Sequence, residues 1–243
     1  MNEEIFNLDD LYKMLDNLYT SPDAPALSAS WWDQFYQTRD KEIPFFTEFP
    51  DENLATYFLD GMLNPGKTLE VGCGNGRNTA FMASQGCSVD AIDYSLEAIN
   101  WAKEKTKEKK LDINFKWDSI FNIDITSNSY DIIYDSGCLH HLFPHRRIQY
   151  IQIIEKALKP GGYLGLSCFA PGHRSNGGGA EMTDWDIYRL KRTRGGIAFT
   201  KEKLLRLFSQ SFDLIEFRSM RECDANEQLY GREFLWTTLW QKR

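Results

Sequence analysis

The segment Leu69-Glu70-Val71-Gly72-Cys73-Gly74-Asn75-Gly76-Arg77-Asn78-Thr79 runs from an apolar, β-prone stretch through three glycines into residues that suit a helix. Glycines at alternate positions let the backbone turn tightly and come close to a ligand that a Cβ would push away. The spacing separates two kinds of ligand. A dinucleotide fingerprint reads G-x-G-x-x-G, its third glycine allowing close helix packing, whereas Arg77 stands at that position here and the pattern is G-x-G-x-G. Glu70, at the end of the strand, repels a pyrophosphate but accepts hydrogen bonds from, or pairs with, a cationic aminoacyl group. The loop therefore points to a zwitterionic ligand and away from NAD.

Outward from this loop, short β-rich runs alternate with helical stretches, the pattern of a mostly parallel sheet covered by helices on both faces. The spacing predicts strands at 68–71, 88–92, 113–117, 130–134, 163–169, 212–220 and 229–240, with helices at 77–85, 96–109, 145–158 and 201–210. No helix separates the last two strands, so they should close the sheet's edge as an antiparallel hairpin. Upstream, Leu11, Met14, Leu15 and Leu18 form a helical stripe over 9–19, which the polar, proline-containing segment 20–25 breaks. An aromatic element over 30–38 leads to Ile43-Pro44-Phe45-Phe46. After Pro50, Asp51 can cap a helix bearing Leu54, Tyr57, Phe58 and Leu59, ended by Gly61 and Asn64-Pro65-Gly66. Residues 1–66 thus read as a helical extension and cover, and 67–243 as the α/β domain.

The 243 residues suit one such domain, and 42% hydrophobic content gives it a core to bury. A formal charge of −7 repels polyanions, so no nucleic-acid partner is expected. The acidic start MNEEIFNLDD has no basic region followed by an apolar run, and no stretch reaches membrane-spanning length; a cytoplasmic protein with no membrane partner is expected. Five scattered cysteines without a CxxC pair read as reduced core thiols. No metal is expected either, because His140, His141, His145, His173 and Asp135 lack a familiar ligand spacing.

The second strand delivers Asp93 to its C-terminal end, about 20 residues beyond the first glycine, where an acid can take both hydroxyls of a ribose. An aspartate before Ser95 is also the kind that caps a helix. The third strand ends at Trp117-Asp118-Ser119-Ile120, where the acid can accept an adenine amino group while the next backbone N–H meets a ring nitrogen. A solvated loop aspartate is the plain alternative. Residues 171–196, with Gly177-Gly178-Gly179, are too long for a simple connection and suit a mobile lid or a disordered loop. Arg189, Lys191, Arg192 and Arg194 in that insertion either greet an anionic acceptor or form a solvated helix face.

Glu70-Val71-Gly72-Cys73-Gly74-Asn75-Gly76, Asp93, Asp118 and Leu158-Lys159-Pro160-Gly161-Gly162 resemble the successive motifs of class I S-adenosylmethionine-dependent methyltransferases, over about residues 67 to 170. Trp32-Asp33-x-x-Tyr36, Ile43-Pro44-Phe45-Phe46 and Cys138-Leu139-His140-His141-Leu142 resemble, more weakly, the small-molecule branch that includes thiopurine and tellurite-resistance methyltransferases. The resemblance implies a Rossmann-like seven-stranded sheet with an antiparallel last strand, S-adenosylmethionine as cofactor and S-adenosylhomocysteine as product. It implies that Glu70 holds the methionine amine through the Gly72, Gly74 and Gly76 loop, Asp93 the ribose, and Asp118 with Ile120 the adenine. Asn78, Tyr94, Ser119 and Asp135 complete the cofactor set, and Trp32, Tyr36 and Phe46 cover it.

Asp135-Ser136-Gly137-Cys138-Leu139-His140-His141 then falls where the sulfonium methyl should point, which makes Asp135, His140 and His141 the candidate catalytic residues. Methyl transfer is an in-line displacement, so the protein aligns the nucleophile, excludes water and, for weak nucleophiles, removes a proton. Either histidine can be that base, and either can instead make a structural hydrogen bond. The expected acceptor is an O, N or S atom of a small molecule. A protein or RNA methyltransferase should add a basic surface or an asparagine/aspartate-Pro-Pro-aromatic site, neither of which follows Tyr134. A cofactor-binding regulatory or scaffold subunit remains open, and oligomeric state is not readable.

Overall fold

The computed structural model describes residues 4–19, 28–107, 109–191, 193 and 195–243. Seven strands form one sheet: β1 (Lys67–Val71), β2 (Ser88–Asp93), β3 (Ile113–Trp117), β4 (Tyr130–Ser136), β5 (Leu158–Phe169), β6 (Phe212–Ser219) and β7 (Leu235–Lys242), in the order β3-β2-β1-β4-β5-β7-β6. The first five run parallel, and β7 is antiparallel to both neighbours. The strand order reverses between β1 and β4, which opens a crevice at their C-terminal ends. Register brings Val71 opposite both Ile92 and Asp135, and Asp93 opposite Trp117, so the tips of four strands face that crevice together.

Helices α4 (Arg77–Ser84), α5 (Leu96–Thr106), α6 (Pro144–Ala157), α7 (Asp184–Leu190) and α8 (Lys201–Phe208) cover the sheet, preceded by α1 (Leu8–Tyr19), α2 (Ala29–Gln37) and α3 (Glu52–Leu59). Alternation along β4 divides the core: Ile133 packs with Tyr150, Ile154, Leu204 and Phe208 on one face, Ile132 and Tyr134 with Leu54, Met82 and Ile99 on the other. Among the described residues no helix is long and apolar enough to cross a membrane.

Most element boundaries match the spacing, with two informative exceptions. β5 begins at Leu158 rather than 163, because Lys159 to Gly162 form an irregularity where pairing with β4 shifts between Tyr130 and Ile132. β7 begins at Leu235 rather than 229. Its expected first turn is captured elsewhere: Tyr230 bridges Asp51, donating its N–H to the Pro50 carbonyl and accepting from Glu52 N. The break expected over 20–25 lies outside the described residues.

Asp51 occupies the N-cap position of α3 but its side chain caps nothing. The carboxylate instead pairs with Arg77 at 2.6 Å and accepts from Tyr134 Oη at 2.7 Å and Asn78 Nδ2 at 3.2 Å. Arg77 also donates to the Phe49 carbonyl and Ser136 Oγ, and its guanidinium lies 4.3 Å from the Tyr230 ring centre. Asp51 is fully buried and Arg77 nearly so. Removing one partner of a buried pair strands the other's charge away from water, at a cost of about 3–5 kcal/mol. Arg77→Ala should therefore lose about that much unfolding free energy. Urea titration showing a loss below about 1 kcal/mol would mean that the Asp51 charge finds water or another partner without Arg77.

Candidate functional site

A cavity of about 770 Å³ occupies the crevice, roofed by α2 and the segment 43–45. Glu70, Gly72, Gly74, Asn78, Asp93, Tyr94, Asp118, Ser119, Ile120, Trp32, Tyr36, His140 and His141 all line it. Backbone turns at positive φ, +69° at Gly72 and +54° at Gly74, carry the glycine loop. A Cβ on Gly74 would come within 2.8 Å of the Tyr36 hydroxyl, so the cover sits directly on the loop. Asp33 anchors that cover: its carboxylate accepts from Ser95 Oγ at 2.7 Å and Glu97 N at 3.2 Å, at the start of α5. Asn75 ties the loop to the segment before α3 by donating to the Thr47 carbonyl.

Three acids stand on adjacent strand tips. Glu70 is buried, accepts the Thr79 hydroxyl, and is raised by burial from 4.5 to about 8, so it is protonated at neutral pH. Asp93 accepts Gly74 N and Ser95 N, each at 2.8 Å, one on each carboxylate oxygen. Burial raises it to about 6 against those bonds. Ser95, not Asp93, is the helix cap, accepting from Ala98 N. Asp118 is half-buried and uses one oxygen, Oδ1, for Ser119 N and Asn122 Nδ2.

On the far side of the cavity, His140 and His141 occupy a single 3₁₀ turn, their Nε2 atoms 3.1 Å apart. Burial holds His140 well below the usual imidazole range, helped by His141, and His141 at about 4, so both rings are neutral at pH 7. His140 stacks on Phe169 at 3.9 Å, and Trp32 meets His141 edge-on at 4.9 Å.

Three expected site residues stand elsewhere. Gly76 does not line the cavity; it starts α4 at φ +77°, and a Cβ there would strike Ala102 at 2.8 Å, so its role is helix packing. Phe46 packs behind Tyr36 and against Trp101, supporting the cover without reaching the cavity. Asp135 is fully buried and not on the wall. Its oxygens accept Cys138 N at 2.7 Å, Leu139 N at 3.1 Å and Tyr150 Oη at 2.7 Å, which leaves it holding the histidine turn rather than meeting a ligand.

Sequence reasoning missed other wall residues: Arg77, Asn75, Ser136, Ser167, Phe169, Tyr230 and Phe234. A basic residue following the last glycine was the one available signal, and Arg77 finds its partner 26 positions upstream. The insertion contains α7, whose capping box joins Thr183 and Asp186, and Arg147 pairs with Asp184 to hold it down. The basic cluster disperses: Arg189 pairs with Asp186, Lys191 is exposed, and Arg192 and Arg194 lie outside the described residues. Among the described residues no group of three metal-binding side chains occurs.

Residues 68–162 match the family of methyltransferase domains. An uncharacterised methyltransferase of Synechocystis sp. is 30% identical over 122 residues, 50% of this chain and 52% of the relative. The mitochondrial ubiquinone biosynthesis O-methyltransferase of Mus musculus is 30% identical over 149 residues, 57% of this chain and 40% of that protein. The chain spans about half the length of these curated relatives. In fold it is similar to Burkholderia thailandensis 1,6-didemethyltoxoflavin-N1-methyltransferase, solved with 1,6-didemethyltoxoflavin and S-adenosylhomocysteine. The TM-score is 0.63 at 19% identity, covering 100% of this chain and 93% of that one.

Glu70 gives a pH signature that needs no ligand. Below about pH 4.5 the acid is protonated in both folded and unfolded chains; between 4.5 and about 8 only the unfolded chain ionises, so its contribution to stability falls as pH rises. The melting temperature of the wild type minus that of Glu70→Gln should decline from pH 5 to 8 and then level off. A flat difference would show the folded carboxyl to be already ionised at pH 5.

Proposed function

We propose that this chain, a class I methyltransferase in fold and in the domain at residues 68–162, binds S-adenosylmethionine and moves its methyl group to an O, N or S atom of a small molecule. One observation carries the reading: Glu70, Asp93 and Asp118 line one cavity from three neighbouring strand tips, with the glycine loop between the first two. A neutral, buried Glu70 suits a ligand that brings its own ammonium, since the cation restores the charge that burial suppressed. Asp93 keeps a lone pair on each oxygen for the two ribose hydroxyls, and Asp118 Oδ2 is available to an adenine amino group beside the Ile120 N–H. Gly72 and Gly74 let the backbone approach the aminoacyl part, Asn78 lines the wall with them, and Tyr94 and Ser119 stand next to the ribose and adenine acids. Trp32 and Tyr36 close the top.

The cofactor supplies an electrophilic methyl group on a sulfonium. The chain's own work is to exclude water with the α2 cover, to fix the acceptor against the 136–141 wall, and to accept a proton at His140 or His141 where the acceptor carries one. Asp135 acts through the backbone of that turn. In this reading 1–66 is the cover, 67–243 the catalytic domain and 171–196 its lid. We place the enzyme in the cytoplasm, in keeping with five unpaired cysteines.

Asp93→Ala should weaken S-adenosylhomocysteine binding by at least about tenfold, since a charged, doubly used acceptor is worth roughly 1.5–3 kcal/mol. Calorimetry showing unchanged affinity would remove Asp93 from the cofactor site. His140→Ala should leave that affinity intact and slow turnover by about 10²–10⁴. Normal turnover would assign His140 a structural role, and cofactor binding with no transfer to any metabolite in an extract would favour a scaffold.

A further inference from the structure

Beyond the three acids assigned to the cofactor, the charged side chains lining the cavity among the described residues are Asp16, Arg77 and Arg146. Each is already paired: Asp16 with Arg146, and Arg77 with Asp51. Apart from the cofactor acids, an ionic acceptor would meet on the described wall only charges that already hold a partner. What faces it instead is flat and apolar. Phe169, stacked on His140, leans on Phe234 at 6.0 Å, and the Tyr230 ring lies behind, under the Arg77 guanidinium.

Polar need concentrates on the same wall. His140 Nδ1 and His141 Nδ1 are buried atoms with no hydrogen-bond partner, and both residues line the cavity. The 3.1 Å contact between the two Nε2 atoms fixes their tautomers relative to each other. Only one of these nitrogens can carry the shared hydrogen when both rings are neutral. The ring that donates at Nε2 has a bare Nδ1, and the ring that accepts at Nε2 has an Nδ1–H. The pair therefore offers one acceptor and one donor.

Resting on the methyltransferase reading above, we infer that the acceptor is an uncharged, flat aromatic or heteroaromatic molecule that lies along Phe169 and Phe234 and turns an O–H or ring N–H toward the His140–His141 pair. In the transfer, the acceptor's O or N forms a bond to the methyl carbon as the carbon–sulfur bond breaks. That bond's electron pair stays on sulfur, and the acceptor's proton goes to the bare imidazole nitrogen. The weakness of the pair as a base agrees with this class. Burial disfavours the charged form of both imidazoles, and so weak a base suits an O–H or N–H more acidic than that of an aliphatic alcohol.

The test uses the full chain loaded with S-adenosylhomocysteine and three probes: 1-naphthol, cyclohexanol and phosphoethanolamine. Calorimetry should detect 1-naphthol alone among them. Phe169→Leu and, separately, Phe234→Leu should weaken it by at least about fivefold, with affinity for S-adenosylhomocysteine unchanged. With labelled S-adenosylmethionine, 1-naphthol should be methylated slowly and the other two not at all. Binding of phosphoethanolamine or cyclohexanol in preference to 1-naphthol, or indifference of 1-naphthol to both substitutions, would overturn the inference while leaving the methyltransferase reading standing. Failure of S-adenosylhomocysteine to bind would instead remove that reading, and this inference with it.

Discussion

A guanidinium taken out of water must be surrounded by acceptors, and Arg77 draws them from separate parts of the chain. Asp51 and the Phe49 carbonyl come from the approach to α3, Asn78 from its own helix, Ser136 from the tip of β4, and the Tyr230 ring from the loop before β7. Only the approach to α3 and the loop before β7 share backbone pairing, through the Asp51–Tyr230 bridge. The cation ties all of them to the start of α4, and the tip of β4, the approach to α3 and the Tyr230 loop are held together through it. A hydrophobic residue of the same size would pack there at no desolvation penalty, but it would not dictate which carbonyl, hydroxyl and carboxylate converge.

Burial does different things to the acids around the crevice. Glu70, Asp93 and Asp135 are all pushed upward by loss of water, yet they differ in what surrounds them. Asp135 is surrounded by donors from its own fold and is spent there, holding the turn that carries His140 and His141. Asp93 is half spent, one oxygen accepting from the glycine loop at Gly74 N and the other from Ser95 N at the start of α5. Glu70 has a single hydroxyl for company, so of the three it has the most to gain from an arriving cation. A gradient of satisfaction, rather than any difference in residue type, separates structural carboxylates from those available to a ligand.

Much of this was legible along the chain. The glycine spacing, the acid ending each of the first three strands and the alternation of strand with helix are local patterns, governed by backbone geometry and side-chain period. They place Glu70, Asp93 and Asp118 on one edge of a parallel sheet. The same reasoning placed Asp51 as a helix cap and Asp135 as a catalytic group, because a carboxylate at a strand or helix terminus looks alike in sequence whichever donors it meets.

Sequence alone thus determined the sheet, its direction and the gathering of a glycine loop and three acids at one edge, since those follow from periodicity and from glycines that turn at positive φ. Tertiary structure decided which polar groups remain available. Gly76 and Phe46 turned out to serve packing, Arg77 to organise the cavity, and Tyr230 to leave its strand for the Asp51 bridge. The reason is physical: hydrogen-bond satisfaction and desolvation depend on neighbours brought from distant positions, and no local pattern of residues encodes who those neighbours will be.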